Sequence, residues 1–93
     1  MSGVINLSAY KFAPLENLPA LKERLQAAAA TGGLRGTILL SPEGINLFVA
    51  GERAGLDGVM AEIHGVPGLA DLTSKESLSE EQPFNRMLVK IKK

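Results

Sequence analysis

Glu43 and Asn46 are the two side chains whose types and spacing best suit them to recognise a ligand. They close the run Leu39-Leu40-Ser41-Pro42-Glu43-Gly44-Ile45-Asn46. A carboxylate only accepts hydrogen bonds, whereas a carboxamide both donates and accepts. Beside a neighbouring domain's active site, such a pair can hold a base edge or order a loop. The same residues equally suit a plain hairpin turn. Pro42 then presets one dihedral and Gly44 admits a positive φ. Glu43 is a solvated carboxylate, and Asn46 satisfies turn backbone groups. Both readings stand at this level.

Other reactive constellations are scarce. The chain has 93 residues and no cysteine, which excludes disulfides, thiolate metal sites and a cysteine nucleophile within it and fits a reducing compartment. Its one histidine, His64, has no second histidine or cysteine to share a metal, and a histidine near a helix C-terminus needs no role beyond favouring the dipole. No serine sits in a G-x-S-x-G elbow, and no P-loop or dinucleotide fingerprint is present. Neither a metal nor another cofactor is expected. Ten basic and ten acidic residues give zero formal charge, so totals do not indicate a strongly basic nucleic-acid binder. The distribution is uneven. Asp71, Glu76, Glu80 and Glu81 precede a closing stretch that carries Arg86, Lys90, Lys92 and Lys93 with no acid. A solvated strand face with a tail is enough to explain this.

These side chains must be positioned by a small scaffold. The length suits one domain spanning 1–93, and the hydrophobic fraction of 45% with 22% charged residues is ordinary for a globular chain. No apolar run approaches the roughly 20 residues of a membrane span. The start, Met1-Ser2-Gly3-Val4, lacks a basic region followed by an apolar stretch. The expected location is cytoplasmic.

Residues 4–10 alternate, with Ile5, Leu7 and Ala9 on one face and Asn6, Ser8 and Tyr10 on the other, as in a half-buried strand. Pro14 ends it. Asn17 or Leu18 caps a helix with Pro19 in its first turn. Leu18, Leu21, Leu25 and Ala28 form its inward stripe, and Gly32-Gly33 stops it. Residues 34–40 and 45–50 are two strands of an antiparallel hairpin. In the second of them Ile45, Leu47 and Val49 oppose Asn46 and Phe48. Leu56, Val59, Met60 and Ile63 mark a second helix, which Gly55 and Gly58 weaken by roughly 1 kcal/mol each, so packing must compensate. Gly65 and Pro67 end it. Residues 69–75 are expected as a short fourth strand, residues 76–83 as a polar loop, and the alternation from Arg86 to Lys92 as a fifth strand.

Strand, helix, strand, strand, helix, strand, strand is an α+β order. Its first six elements match the ferredoxin-like βαββαβ sandwich, with an additional C-terminal strand. Two helices should cover one face of an antiparallel sheet, leaving the other face, with Asn6, Phe48 and Lys90, open to solvent or a partner. Acylphosphatase shares this topology and cradles its acyl phosphate in a glycine-rich, arginine-bearing loop after the first strand. Here that loop is Lys11-Phe12-Ala13-Pro14-Leu15, with neither the glycines nor the arginine. Acylphosphatase activity is therefore rejected.

Three blocks resemble the rhodanese-type tRNA uridine hydroxylases. They are Tyr10-Lys11-Phe12, the run from Gly36 to Asn46, and the run from Pro83 through Phe84, Asn85 and Arg86 to Lys93. Pro-Glu-Gly-Ile-Asn after an apolar strand is the most specific part. After Asn46 the chain departs from the family, with Leu47-Phe48 where members often have glycine and a small polar residue. The resemblance implies an N-terminal, acylphosphatase-related domain followed by a rhodanese domain with a catalytic cysteine. It also implies an oxygen-dependent hydroxylation of wobble uridine at carbon 5. The chain is accordingly expected to be the N-terminal fragment of a longer rhodanese-containing protein and not itself catalytic. The implied partners are the tRNA anticodon region and the rhodanese domain, with no membrane.

Two roles follow. In the first, the domain positions tRNA. Lys11, Arg35, Arg86, Lys90 and Lys92 meet phosphates, and Tyr10 or Phe48 stacks on a base; with Glu43, Asn46 and Phe84 these are the candidate RNA or interdomain contacts. In the second, the domain is a purely structural interdomain packing module of a rhodanese-like sulfurtransferase, without RNA contact.

Overall fold

A computed structural model of the chain describes residues 3–92. Met1, Ser2 and Lys93, which the readings of the start and of the basic tail include, lie outside the described residues. The elements are β1 (Val4–Phe12), α1 (Leu18–Thr31), β2 (Arg35–Ser41), β3 (Gly44–Gly51), α2 (Arg53–His64), β4 (Ser74–Ser79) and β5 (Met87–Ile91). The sheet order is β4-β1-β3-β2-β5. Neighbours among the first four are antiparallel, which is the ferredoxin-like arrangement. The fifth strand joins the edge of β2 in parallel, so the sheet as a whole is mixed.

Alternation sets the two sheet faces. Leu7 and Ala9 of β1, Ile38 and Leu40 of β2, Ile45, Leu47 and Val49 of β3, and Val89 of β5 are buried beneath the helices. From α1, Leu21, Leu25 and Ala29 meet them, and from α2, Leu56, Val59 and Ile63. The first helical stripe thus runs through Leu21, Leu25 and Ala29, with Leu18 and Ala28 only partly buried. Asn17 caps α1 in the left-handed conformation, φ 53°, which asparagine tolerates better than most residues. At the far end Gly33, φ 67°, lets the Leu34 N–H reach back to the Ala29 carbonyl at 3.0 Å.

Gly55 supplies the compensation that a glycine in a helix requires. A Cβ there would lie 2.5 Å from the Gly32 carbonyl oxygen and 3.0 Å from its Cα. The missing side chain lets the start of α2 close against the end of α1. Beyond the helix's own backbone nothing lies within 4 Å of a Cβ at Gly58, and no packing requires glycine there.

The fourth strand corrects the sequence expectation. Leu69 and Leu72 are buried, but in successive turns closed by Leu69 N–H to Val66 and Leu72 N–H to Leu69. Their spacing of three plugs the end of the core. The strand itself is the polar run Ser74–Ser79, of which residues 76–79 were expected to be loop. It is an edge strand, so it needs little apolar burial. Its helix-side residue Glu76 is held instead by Arg53 of α2, through two hydrogen bonds of 2.7 and 2.8 Å.

β4 and β5 lie at opposite edges, so residues 80–86 must cross the sheet. They do so on the side away from the helices. The Gln82 amide donates to the Ala50 carbonyl at 3.0 Å. Gly36 N–H donates to the Arg86 carbonyl at 2.9 Å. Phe84 is half-buried against Asn6, Ser8 and Phe48.

Candidate nucleic-acid interface

The helix-free face of the sheet is built by register. Tyr10, Asn46, Leu39 and Lys90 stand side by side across β1, β3, β2 and β5. One step along, Lys75, Ser8, Phe48, Thr37 and Leu88 form the next row. Toward the β2–β3 turn lie Phe12, Gly44 and Ser41. Toward the opposite end lie Ser77, Asn6, Ala50 and Arg35, and there the crossing segment covers Ala50.

The chain has one tyrosine, three phenylalanines and no tryptophan. All four rings are on this face. None is in the core, which is entirely aliphatic. Phe12 is 81% exposed, Tyr10 69% and Phe48 51%. Aromatic rings are the largest apolar groups a chain can bury. Placing every one of them outside the core forgoes that burial and leaves it available to a partner. Tyr10 and Phe12 stand edge to face, with centroids 6.2 Å apart and planes at 73°.

A groove of about 600 Å³ runs from these rings to the turn, lined also by Leu39, Ser41, Asn46 and Lys92. The turn is rigidly tied. Ser41 Oγ accepts from the Glu43 N–H at 3.2 Å and donates to the Gly44 carbonyl at 3.4 Å. Ala13 N–H donates to the Glu43 carbonyl at 2.8 Å, and Leu15 N–H to the Pro42 carbonyl at 3.1 Å. Ser41, not Asn46, therefore serves the turn. Asn46 is exposed on the open face, and among the described residues its amide makes no hydrogen bond. Glu43 is exposed, lines the groove and forms no ion pair among the described residues.

The ten residues singled out from sequence fall into three places. Tyr10, Glu43, Asn46, Phe48, Lys90 and Lys92 gather at the turn half of the open face. Arg35, Phe84 and Arg86 lie at the other half, around the crossing segment. The Lys11 side chain turns toward the opposite side, where its ammonium donates to Asp71 and holds that carboxyl below the ordinary range. Further residues join the face, among them Phe12, Leu39 and Lys75. Phe12 continues the Asn6, Ser8, Tyr10 alternation, and it would have been found had the first strand been carried two residues further. Lys75 emerges only once β4 is placed at Ser74–Ser79.

His64 sits at the end of α2 and donates from Nε2 to the Leu72 carbonyl at 2.9 Å, tying the helix to the buried turn. Among the described residues, no three acidic or histidine side chains gather closely enough to hold a metal ion. No helix there is long and apolar enough to cross a membrane.

Residues 4–93 match the family model described as the UPF0176 acylphosphatase-like domain. Curated relatives named tRNA uridine(34) hydroxylase include those of Cupriavidus taiwanensis, 55% identical over 94 residues, and Thiobacillus denitrificans, 52% identical over 90. Each alignment covers 97% of this chain but only 32% and 36% of the relative. The chain thus spans about a third of the length of these proteins. Among solved structures, BlrP1 BLUF aligns with a TM-score of 0.74 at 19% identity, covering 98% of this chain and 65% of that one. An acylphosphatase from Bacillus subtilis aligns with a TM-score of 0.66 at 16% identity, covering 95% and 98%. At such identities the likeness is one of fold. In the acylphosphatase-like loop of this chain, the Ala13 and Leu15 amides are engaged by the turn carbonyls of Glu43 and Pro42.

Proposed function

Because the chain belongs to the UPF0176 acylphosphatase-like domain family, and relatives that contain it are named tRNA uridine(34) hydroxylases, we propose that it is the accessory domain through which such an enzyme positions its tRNA. The observation that carries this reading is the aromatic open face with lysines at both margins. Lys75 stands on the β4 side and Lys90 on the β5 side, with Lys92 just beyond β5. Lysines meet phosphates, and the exposed rings meet unpaired bases. The hydroxylation itself, at carbon 5 of the wobble uridine and dependent on oxygen, is assigned to the rest of the protein, where a rhodanese domain would supply the cysteine this chain lacks. The reading places the enzyme in the cytoplasm.

Titration of the chain with an anticodon stem-loop tests the proposal. If three lysines meet phosphates, log K should fall with log[salt] at a slope of about −2, near −0.7 per contact for single strands. Absence of binding at low salt would remove the RNA role from this domain. The zero formal charge favours a second reading, in which the same apolar face packs on the rhodanese domain without touching RNA. Adding that domain should then protect the amides of β1 and β3 from hydrogen exchange while RNA leaves them unchanged.

A further inference from the structure

We infer, building on the RNA-contact reading, that the open face holds two consecutive unpaired nucleotides: one base on Tyr10 with Asn46 at its edge, the next on Phe48, with Phe84 ending the track. β1 and β3 are the two central strands of the antiparallel four. In sheet-based RNA readers, aromatics in the sheet stack two or three bases. Tyr10 opposes Asn46 while Phe48 opposes Ser8, so the two rings stand one diagonal step apart, about 7–8 Å in an antiparallel pair. That separation suits successive bases that have come off one another.

Phe12 is not part of the Tyr10 platform. Its ring is nearly perpendicular to that of Tyr10, so one base cannot lie flat on both, and in the inferred track Phe12 flanks the first base. Beyond Phe48 the face closes. Phe84 shares a shallow groove of about 270 Å³ with Phe48, Ser8 and Asn6, below the usual 300–1,000 Å³ of ligand pockets. The Gln82–Ala50 hydrogen bond holds the crossing segment there.

The polar groups fit the same path. Asn46 stands between Tyr10 and Leu39, with an amide that offers donors and an acceptor to a base edge. Lys75 flanks the Phe48 row and Lys90 the Tyr10 row, with Lys92 at the groove. None of the three forms an ion pair among the described residues, so their charge is available to phosphates. Glu43 bars a phosphate from the tip of the turn.

Tyr10 is the sole tyrosine and there is no tryptophan, so emission excited at wavelengths beyond phenylalanine absorption reports on Tyr10 alone. Titrating the 93-residue chain with oligouridylates of one to six nucleotides reads the footprint. The expected result is quenching of Tyr10, an affinity gain of roughly tenfold from one nucleotide to two, as stacking on an aromatic ring provides, and less than about twofold for each one added after that. Phe48→Ala should abolish the step from one to two while leaving the quenching. Asn46→Ala should weaken even the mononucleotide, by about fivefold or more. A steady gain through six nucleotides would overturn the inference, as would binding without quenching, or an Asn46→Ala chain that binds as tightly as the parent. Those outcomes leave RNA contact standing, whereas failure to bind any oligonucleotide or the stem-loop removes both.

Discussion

Gly55 and Gly58 lie three residues apart in α2, and alanine should have opposite effects at the two. In a helix interior alanine is favoured over glycine by about 1 kcal/mol. At Gly58 nothing opposes that gain, because no atom beyond the helix's own backbone lies within 4 Å of the new Cβ. Gly58→Ala should therefore stabilise the chain by about 0.5–1 kcal/mol, raising Tm by about 4–8 °C per kcal/mol for a domain of this size. At Gly55 the new Cβ meets the Gly32 carbonyl oxygen at 2.5 Å, its Cα at 3.0 Å and Leu34 Cδ2 at 3.0 Å. Two of these atoms are backbone, so the helices must part. Overpacking of this kind costs about 1–3 kcal/mol. Set against the same propensity gain, it leaves Gly55→Ala up to about 2 kcal/mol less stable than the parent, out of a total of about 5–14 kcal/mol. Urea unfolding followed by far-ultraviolet circular dichroism compares the two variants directly, with similar slopes required for the midpoints to be read as stability. A Gly55→Ala midpoint as high as that of Gly58→Ala would refute the close approach of α1 and α2 at Gly32.

Two other perturbations probe the face and the ion pairs. Tyr10→Ser and Phe12→Ser remove rings that carry little of the fold, so each should move stability by about 0.5 kcal/mol or less; Tyr10→Ser should weaken stem-loop binding about fivefold or more, and a large loss of Tm instead would mean that the rings belong to the core. Hydrogen bonds from Lys11 and Arg53 hold the carboxyls of Asp71 and Glu76 below their ordinary values of 3.8 and 4.5. A carboxyl whose pKa falls on folding contributes stability that is complete above its unfolded value and disappears as pH drops through the folded one. Urea midpoints should accordingly be insensitive to these pairs from pH 7 to about 5 and decline below about 4.5, with a shallower decline in Glu76→Gln and Asp71→Asn. Both pairs are exposed, so added salt should diminish the difference.

Much of the scaffold is legible in local periodicity, because each half-buried element must repeat its apolar side chains at its own period. Ile5, Leu7 and Ala9 against Asn6, Ser8 and Tyr10 assign the two faces of β1. The Ile45, Leu47 and Val49 alternation does the same for β3, and it puts Asn46 and Phe48 outside before any contact is known. Gly33 stops α1 because a left-handed residue is needed there, and the Pro42–Gly44 run makes the hairpin. What periodicity does not contain is adjacency. β4 is an edge strand whose inward Glu76 is satisfied by Arg53, so it shows no apolar repeat, while Leu69 and Leu72 imitate one from within buried turns. The edge that β5 joins depends on the path of residues 80–86 across the sheet. The partner of Lys11 is a carboxylate 60 positions away. The groove beside Glu43 and Asn46 is likewise a product of register: Tyr10, Asn46, Leu39 and Lys90 become one row only when four strands lie side by side. Hydrophobic pattern says which way each residue faces, and only the packing of distant segments says which residues face one another.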